Sequence, residues 1–175
     1  MPLWRADLSS YERDRGLPPC VVGWAAEAAV VDISGFADLV RLDHGLAVVA
    51  VNRPDGTIHA SVVNAGVLDH PVTGAPVVGI VTPSGTRKLA YLRERPRATV
   101  VLRAGWQWAS VEGPVELVGP DDRELALDAE RLRLLLRAVF AAAGGTHDDW
   151  DEYDRVMAAE RRTAILVTPD RAGHA

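Results

Sequence analysis

Five basic residues lie between positions 87 and 97 of this chain, and one of them, Lys88, is the only lysine. The stretch Thr82–Lys88 (TPSGTRK) reads as a turn that opens a helix. Backbone N–H groups at such a helix start have no intrahelical acceptor, and the helix dipole adds positive potential there. Thr86, Arg87 and Lys88 add a hydroxyl, a guanidinium and an ammonium, which together suit a phosphate group. A solvated basic helix start fits the same residues, so both interpretations stay open.

Two further groups of side chains could contact a ligand. Trp106 and Trp108 are two apart in a predicted strand, so both indoles project from one face. There they can stack on a planar ring, fill a subunit interface or pack in the core. His59, Ser61 and Val63 alternate in another predicted strand and share a face. His59 and Ser61 are able to bond to the edge of a ligand, and they also fit the outward face of a half-exposed strand.

Composition argues against several classes of protein. The net charge of −5 disfavours a nucleic-acid-binding protein, which needs a wide basic face. The sequence contains neither an apolar run of the ~20 residues that a membrane helix needs nor the apolar core of a secretory signal. The single cysteine, Cys20, allows no internal disulfide and suits the cytoplasm. The histidines lack metal-ligand spacing and no nucleophile motif is present, so we expect neither a metal site nor a covalent catalyst.

The pattern of elements predicts one domain that is mainly β. We expect an irregular arm and lead-in at residues 1–33, followed by the folded domain at residues 34–170. Ser34 is predicted to cap a first helix that stops at Gly45. Further helices are predicted at residues 86–93, 121–143 and 150–160. Strands are predicted at residues 46–52, 57–64, 75–82, 97–103, 106–118 and 161–168, with a loop at residues 66–76.

The longest predicted strand contains Gly113-Pro114, where we expect a bulge or sharp bend. The regularly repeated crossover helices of a doubly wound parallel sheet are missing from the pattern. A mostly antiparallel barrel with peripheral helices fits the pattern better.

The order of these motifs resembles the pyridoxamine 5′-phosphate oxidase-like split β-barrel superfamily. More narrowly, it resembles the flavin/deazaflavin oxidoreductases that use coenzyme F420. The matching pieces are Leu46 to Ala50, Thr57 to Val63, Thr86 to Arg97 and Trp106 to Gly113. The segment at residues 147–169, HDDWDEYDRVMAAERRTAILVTP, is similar to the end of the F420-dependent subgroup. The resemblance covers residues 34–169 and implies a six-stranded antiparallel split β-barrel with short helices, which forms a homodimer with the cofactor at the subunit interface.

The resemblance also implies which residues bind the cofactor. By position they are Lys88, Thr86, Arg87, Thr82, Val81, Ser61, Val63, His59, Trp106 and Trp108. Lys88 would hold the phosphate, with Thr86 and Arg87 beside it. The strand residues at 59, 61 and 63 would lie along the ring system, residues 81 and 82 would give backbone and hydroxyl contacts, and the two tryptophans would reach toward the partner subunit. Relatives often have a basic residue where Thr86 stands, so we expect a rearranged phosphate site.

The implied function is hydride transfer from reduced coenzyme F420 to a small unsaturated or quinone-like acceptor. Hydride transfer is the chemistry of the cofactor, so no catalytic side chain is expected. One alternative is an FMN-dependent enzyme related to pyridoxamine-phosphate oxidase, and a second is a non-catalytic flavin- or deazaflavin-binding carrier. Lys88 does not separate F420 from FMN, because both carry a phosphate. The acidic tail of coenzyme F420 needs further basic residues, for which Arg93 and Arg97 are candidates.

Overall fold

The computed structural model of this chain describes residues 31–123, 125 and 127–175. The predicted arm at residues 1–33 therefore lies outside the described residues up to position 30, and so does Cys20. The elements within the described part are α1 (Ser34–Leu42), β1 (Leu46–Asn52), β2 (Ile58–Asp69), β3 (Pro76–Thr82), α2 (Arg87–Glu94), β4 (Arg97–Ala104), β5 (Gln107–Gly119), β6 (Asp122–Arg123), α3 (Ala129–Ala142), α4 (Trp150–Ala159), β7 (Thr163–Val167) and β8 (Arg171–His174).

Six antiparallel strands close into a barrel. Their order is β4–β1–β2–β3–β7–β5, and the pairing of β5 with β4 completes the ring. The short strands β6 and β8 pair with β5 outside this ring. The predicted mainly β fold, a six-stranded antiparallel split barrel with short helices, is confirmed.

Burial alternates along β1, β4 and β5 of the barrel wall, so every second side chain of these strands enters the core. Along β1, Ala47, Val49 and Val51 are buried in the core, whereas their neighbours are exposed or half-buried. Val49 pairs with Val100 of β4, which is also buried, so the register brings both inward faces together. β-Branched side chains suit this pleated, half-buried environment.

Gly113 and Pro114 mark the point at which β5 passes from one part of the barrel to the other. Residues 107–114 of β5 pair with β4, and residues 115–118 pair with β7. A Cβ atom on Gly113 would lie 1.7 Å from the carbonyl oxygen of Thr168, so only glycine fits this close approach. The strand runs through the predicted bend without interruption.

β2 and β3 separate part of the way along the barrel. They are paired from Asp69 and Pro76 to Ala65 and Ile80. Beyond that point residues 58–64 of β2 continue on β1, while residues 81–82 of β3 continue on β7. We call the gap between these two diverging segments the split. α2 lies beside it.

Helix α3 covers the outside of the barrel next to the split. It packs on β2 and β3 at two glycines, Gly66 and Gly79. A Cβ atom on Gly66 would lie 2.3 Å from the carbonyl carbon of Ala142 and 2.4 Å from the nitrogen of Ala143. The backbone of the helix end therefore rests directly on the strand. Among the described helices, none combines the length and the apolar content that a membrane crossing needs.

Several predicted boundaries were wrong. Ser34 is the first residue of α1 and not its cap, since the cap position is Ile33 and the carboxylate of Asp32 accepts the N–H of Ser34. The second strand runs on to Asp69, which shortens the predicted loop at residues 66–76. His70 stabilises the remaining turn, because its Nδ1 atom accepts the N–H groups of residues 72 and 73.

The helix predicted at residues 121–143 begins only at Ala129. Asp128 caps it by accepting the N–H of Arg131 at 2.8 Å. The acidic residues Asp121 and Asp122, which had suggested the helix start, instead bind arginine side chains. Strand β8 was not predicted, because the segment at residues 171–174 has little apolar character.

The close contact at Gly66 generates the first prediction. We expect Gly66→Ala to lower the free energy of unfolding by about 2–3 kcal/mol, because its methyl group must push α3 away from β2. Gly35→Ala is the control, since a Cβ there meets only ordinary contacts at 3.5 Å or more, and alanine favours the helix by up to about 1 kcal/mol. Urea unfolding monitored by circular dichroism measures both. Equal stability of Gly66→Ala and the native chain would contradict the packing described.

Candidate functional site

The ammonium group of Lys88 lies at the end of β3, next to the split. Its Nζ donates a hydrogen bond to the hydroxyl of Thr82 at 3.2 Å. Thr82 is buried and Lys88 is half-buried. Burial lowers the pKa of Lys88, and the positive charge of Arg162 lowers it further. Within the described residues, no carboxylate forms an ion pair with Lys88, so its charge is available to an external anion.

Two buried hydroxyl groups lack hydrogen-bond partners within the described part of the chain. One belongs to Thr86, two residues before Lys88 in the chain, and the other to Ser61 of β2, across the split. The oxygen atoms of Ser61 and Thr86 are buried and make no hydrogen bond to any described residue. Thr86 occupies the N-cap position of α2, yet its hydroxyl makes no capping bond. An unpaired buried hydroxyl costs about 1–3 kcal/mol, which a ligand with a suitable polar atom can recover. Arg87 follows as the first residue of α2 and is exposed.

The predicted alternation in β2 is confirmed. His59, Ser61 and Val63 are half-buried, and the residues between them are exposed. The shared face points toward α2 and the core: the ring of His59 meets the edge of Tyr91 at 5.7 Å between centroids, and Val63 packs against the core. These three residues thus border the split on the side that α2 covers.

A cavity of about 270 Å³ lies on the other face of β2. Its wall includes Asn64 of β2, Val81 of β3, Tyr153 and Met157 of α4, and Arg162. Asn64 and Val81 lie next to Ala65 and Ile80, where the two strands separate. Of the residues predicted for the cofactor, Val81 lines this cavity.

Sequence reasoning missed most of the cavity wall. The wall draws on β2, β3, α3 and α4, which are far apart in the chain, so no local spacing reveals it. The similarity of residues 147–169 to the F420-dependent subgroup was the signal that could have pointed to α4. Tyr153 donates its hydroxyl to the carbonyl of Leu136 at 3.1 Å, and burial raises the pKa of Tyr153 to about 12. It therefore contributes a neutral wall.

The two tryptophans do not share a strand face, contrary to the prediction. Trp106 lies in the two-residue turn between β4 and β5, where Gly105 adopts a φ of 61°, and it is 95% exposed. Trp108 lies in β5, opposite Arg103. Within the described residues, neither makes a hydrogen bond or aromatic contact to the other predicted site residues. Their predicted approach to the site of a partner subunit stays a prediction.

The arginines named for an acidic tail are already engaged. Arg93 binds both carboxylate oxygens of Asp122, at 2.8 and 3.0 Å. Arg97 binds both oxygens of Asp170 and one oxygen of Glu112. Hydrogen bonds to these carboxylates raise the pKa of each arginine above its usual value. Both side chains therefore stabilise the fold.

The residues at the end of β3 fit a phosphate. They offer an ammonium without an acidic partner, an unpaired hydroxyl at the N-cap, and the N–H groups of the first turn of α2. A metal is not supported in the same way. Within the described part of the chain, no group of three or more His, Cys, Asp or Glu side chains is arranged to hold one.

Comparison with known proteins agrees with the fold. No protein-family model matches the chain. A pyridoxamine 5′-phosphate oxidase-related, FMN-binding protein from Nostoc punctiforme is 12% identical, with 81% of this chain and 82% of that chain covered and a TM-score of 0.60. A conserved hypothetical protein from Mycobacterium tuberculosis is 20% identical, with 85% and 86% covered and a TM-score of 0.58.

A structure described as an F420 reductase is 16% identical, with 75% of this chain and 92% of that chain covered and a TM-score of 0.50. At such identities the likeness shows the fold alone. Together with the closed ring of strands and the split, it confirms the split β-barrel fold that the motifs indicated. The chain has the split β-barrel fold of the pyridoxamine 5′-phosphate oxidase-like superfamily.

Proposed function

We propose that this protein is an oxidoreductase that binds a flavin-type cofactor at the split. Reduced coenzyme F420 is the leading candidate, with a small unsaturated or quinone-like molecule as the hydride acceptor. The observation that carries the proposal is the half-buried ammonium of Lys88, which has no acidic partner among the described residues. Burying a charge without a counterion is costly, and a bound phosphate removes that cost.

Each residue of the site has a physical task in this proposal. Lys88 neutralises the phosphate, and Thr86 donates its hydroxyl to a phosphate oxygen. Arg87 adds a guanidinium at the exposed side of the same helix start. The bound cofactor supplies the hydride, while the chain supplies anion binding, orientation and exclusion of water. The apolar wall of the cavity, with Val81 and Met157, excludes water from the split.

FMN is the second candidate, and one observation favours it. The acidic tail of coenzyme F420 requires cations beyond those at the phosphate. Arg93 and Arg97, which the sequence suggested for that purpose, are bound to carboxylates of the same chain. FMN ends at its phosphate and needs no such cations.

We further propose that the protein acts as a homodimer. The outer face of β1 and β2 exposes Leu46, Val48, Ile58 and Val62, and the register places Val48 opposite Val62. The alternating positions between them on the same face are alanines, so this part of the surface has no charge. An uncharged apolar face is self-complementary, as a two-fold interface requires. A second copy on this face would also be the partner subunit toward which Trp106 and Trp108 are predicted to reach.

Cofactor binding gives the second prediction. Titration of the purified protein with coenzyme F420 and with FMN, followed by fluorescence, should show micromolar binding of one of them. Lys88→Ala should raise the Kd at least about tenfold, because a charge-assisted hydrogen bond of roughly 1.5 kcal/mol is lost. Arg103→Ala, which removes an exposed charge on the β4–β5 hairpin, is the matched control. Failure of both cofactors to bind at micromolar concentration would overturn the proposal.

The unpaired hydroxyl of Thr86 gives the third prediction, in which stability and binding change in opposite directions. Thr86→Val should raise the free energy of unfolding of the cofactor-free protein by about 1 kcal/mol, because an unsatisfied buried oxygen is removed. The same variant should bind the cofactor more weakly. Thr82→Val is the comparison, since its hydroxyl is bonded to Lys88 and its loss should destabilise the protein. A drop in stability of Thr86→Val without a loss of affinity would show that Thr86 has only a structural task.

The dimer gives the fourth prediction. Sedimentation equilibrium should report twice the chain mass for the native protein. Val62→Asp should give monomers and weaken cofactor binding, because it introduces like charges on both sides of the interface. Val72→Asp is the control, since Val72 lies in the β2–β3 turn with a similar exposure, 62% against 66%. A monomeric native protein, or a dimeric Val62→Asp variant, would refute this interface.

A further inference from the structure

Two consecutive arginines end α4 and point to different parts of the molecule. Arg161 adopts a left-handed backbone conformation with a φ of 48°. Its N–H binds the carbonyl of Ala158, and the N–H of Arg162 binds the carbonyl of Met157. This is the Schellman arrangement that usually has glycine at the left-handed position. The side chain of Arg161 binds Asp121, and the side chain of Arg162 lines the cavity at the split.

The backbone around Arg162 is fixed to the turn before α2 on both sides. The N–H of Ser84 donates to the carbonyl of Glu160 at 3.3 Å. Thr163 pairs directly with Thr82, the residue that accepts the hydrogen bond of Lys88. Arg162 lies between these two attachments. Its position beside the anion-binding turn is therefore set by the sheet and not by a flexible loop.

The guanidinium of Arg162 completes this arrangement. It lines the cavity together with Asn64 and Val81, the residues next to the point where β2 and β3 separate. It is close enough to Lys88 for its positive charge to lower the pKa of that lysine. Its counterion is Glu160, whose carboxylate accepts from Nε at 2.7 Å and from Nη2 at 2.6 Å. Glu160 is partly exposed, so an anion can compete for this contact.

Three other arginines bind carboxylates of the chain. Arg93 binds Asp122, Arg97 binds Asp170, and Arg161 binds Asp121. Each of these pairs joins two separate elements of the fold. The Arg162–Glu160 pair instead joins residues two apart, so breaking it frees a cation without loosening the contact between elements.

We infer that Arg162 is a further cation of the cofactor phosphate site, in addition to Lys88 and Arg87, and that the phosphate replaces Glu160 as its partner. The inference rests on the proposed function. It supplies a positive charge beside Thr86, whose own side chain is neutral. It draws this charge from a segment some 75 residues further along the chain.

The test separates a contact with the phosphate from a structural effect. The Kd values of FMN and of riboflavin, which lacks the phosphate, are measured by fluorescence for the native protein and for Arg162→Gln. We expect Arg162→Gln to raise the Kd of FMN about tenfold and to leave that of riboflavin unchanged. If the native protein binds coenzyme F420 instead of FMN, the pair is F420 and its deazaflavin core, which lacks both the phosphate and the acidic tail attached to it.

Arg155→Gln is the charge-matched control. Arg155 lies on α4, is exposed, and donates to the backbone carbonyl of Asp151. It should leave both Kd values as in the native protein. An equal loss of FMN and riboflavin binding in Arg162→Gln would overturn the inference. Riboflavin has no phosphate, so the loss of a phosphate contact cannot weaken its binding.

A second variant tests the exchange of partners and does not remove Arg162. Glu160→Gln removes the competing carboxylate, so it should tighten FMN binding severalfold while riboflavin is unaffected. Unchanged FMN affinity in both Arg162→Gln and Glu160→Gln, combined with weakened binding in Lys88→Ala, would refute the role of Arg162 and leave the proposed function standing. Absence of cofactor binding by the native protein would instead refute the proposed function, and the inference with it.

Discussion

β2 and β3 are hydrogen-bonded from Asp69 and Pro76 to Ala65 and Ile80, and beyond this point each strand pairs with a different neighbour. Backbone polar groups must find partners, so residues 58–64 of β2 pair with β1, while β3 keeps the pairing with β7 that begins at Val78. The separation also leaves a gap that side chains from α2, α3 and α4 have to fill. The buried unpaired hydroxyls, the cavity and the ammonium of Lys88 all lie around this gap. The location of the candidate site follows from a change of strand partners.

The basic side chains of the barrel fall into two groups that differ in their partners. Several arginines pair with carboxylates and join elements, as Arg93 does with Asp122 and Arg97 with Asp170. The cations at the split are different, because Lys88 has a hydroxyl as its partner and Arg162 has only a near neighbour in sequence. An acidic chain can therefore hold an anion, because Lys88 itself has no carboxylate partner among the described residues.

The sequence predicted the elements that carry strong periodicity, and the reasons for its failures are physical. The first strand, at residues 46–52, was predicted with its observed bounds because it is an apolar run rich in β-branched residues that ends at a turn. The helix start at residue 121 was wrong because acids near a helix start resemble acids that bind arginines elsewhere in the fold. Trp106 was predicted in a strand because the two-residue spacing from Trp108 extends back to it. The tight turn at this point is visible only in the structure, from the positive φ of Gly105. The candidate phosphate-binding residues at 86–88 are contiguous and could be named from sequence, whereas the residues around the cavity come together only through tertiary contacts.

Lys88 carries the only side-chain amine of the chain, and burial next to Arg162 lowers its pKa. A lowered pKa leaves more of an amine in the unprotonated form that attacks acylating reagents. Among side chains, an amine-selective reagent thus has a single target in this protein, at the candidate phosphate site itself. A ligand at the site should protect Lys88 from such a reagent, and the mass of the intact chain measures this protection. The method works with any ligand and needs no spectroscopic signal from the cofactor.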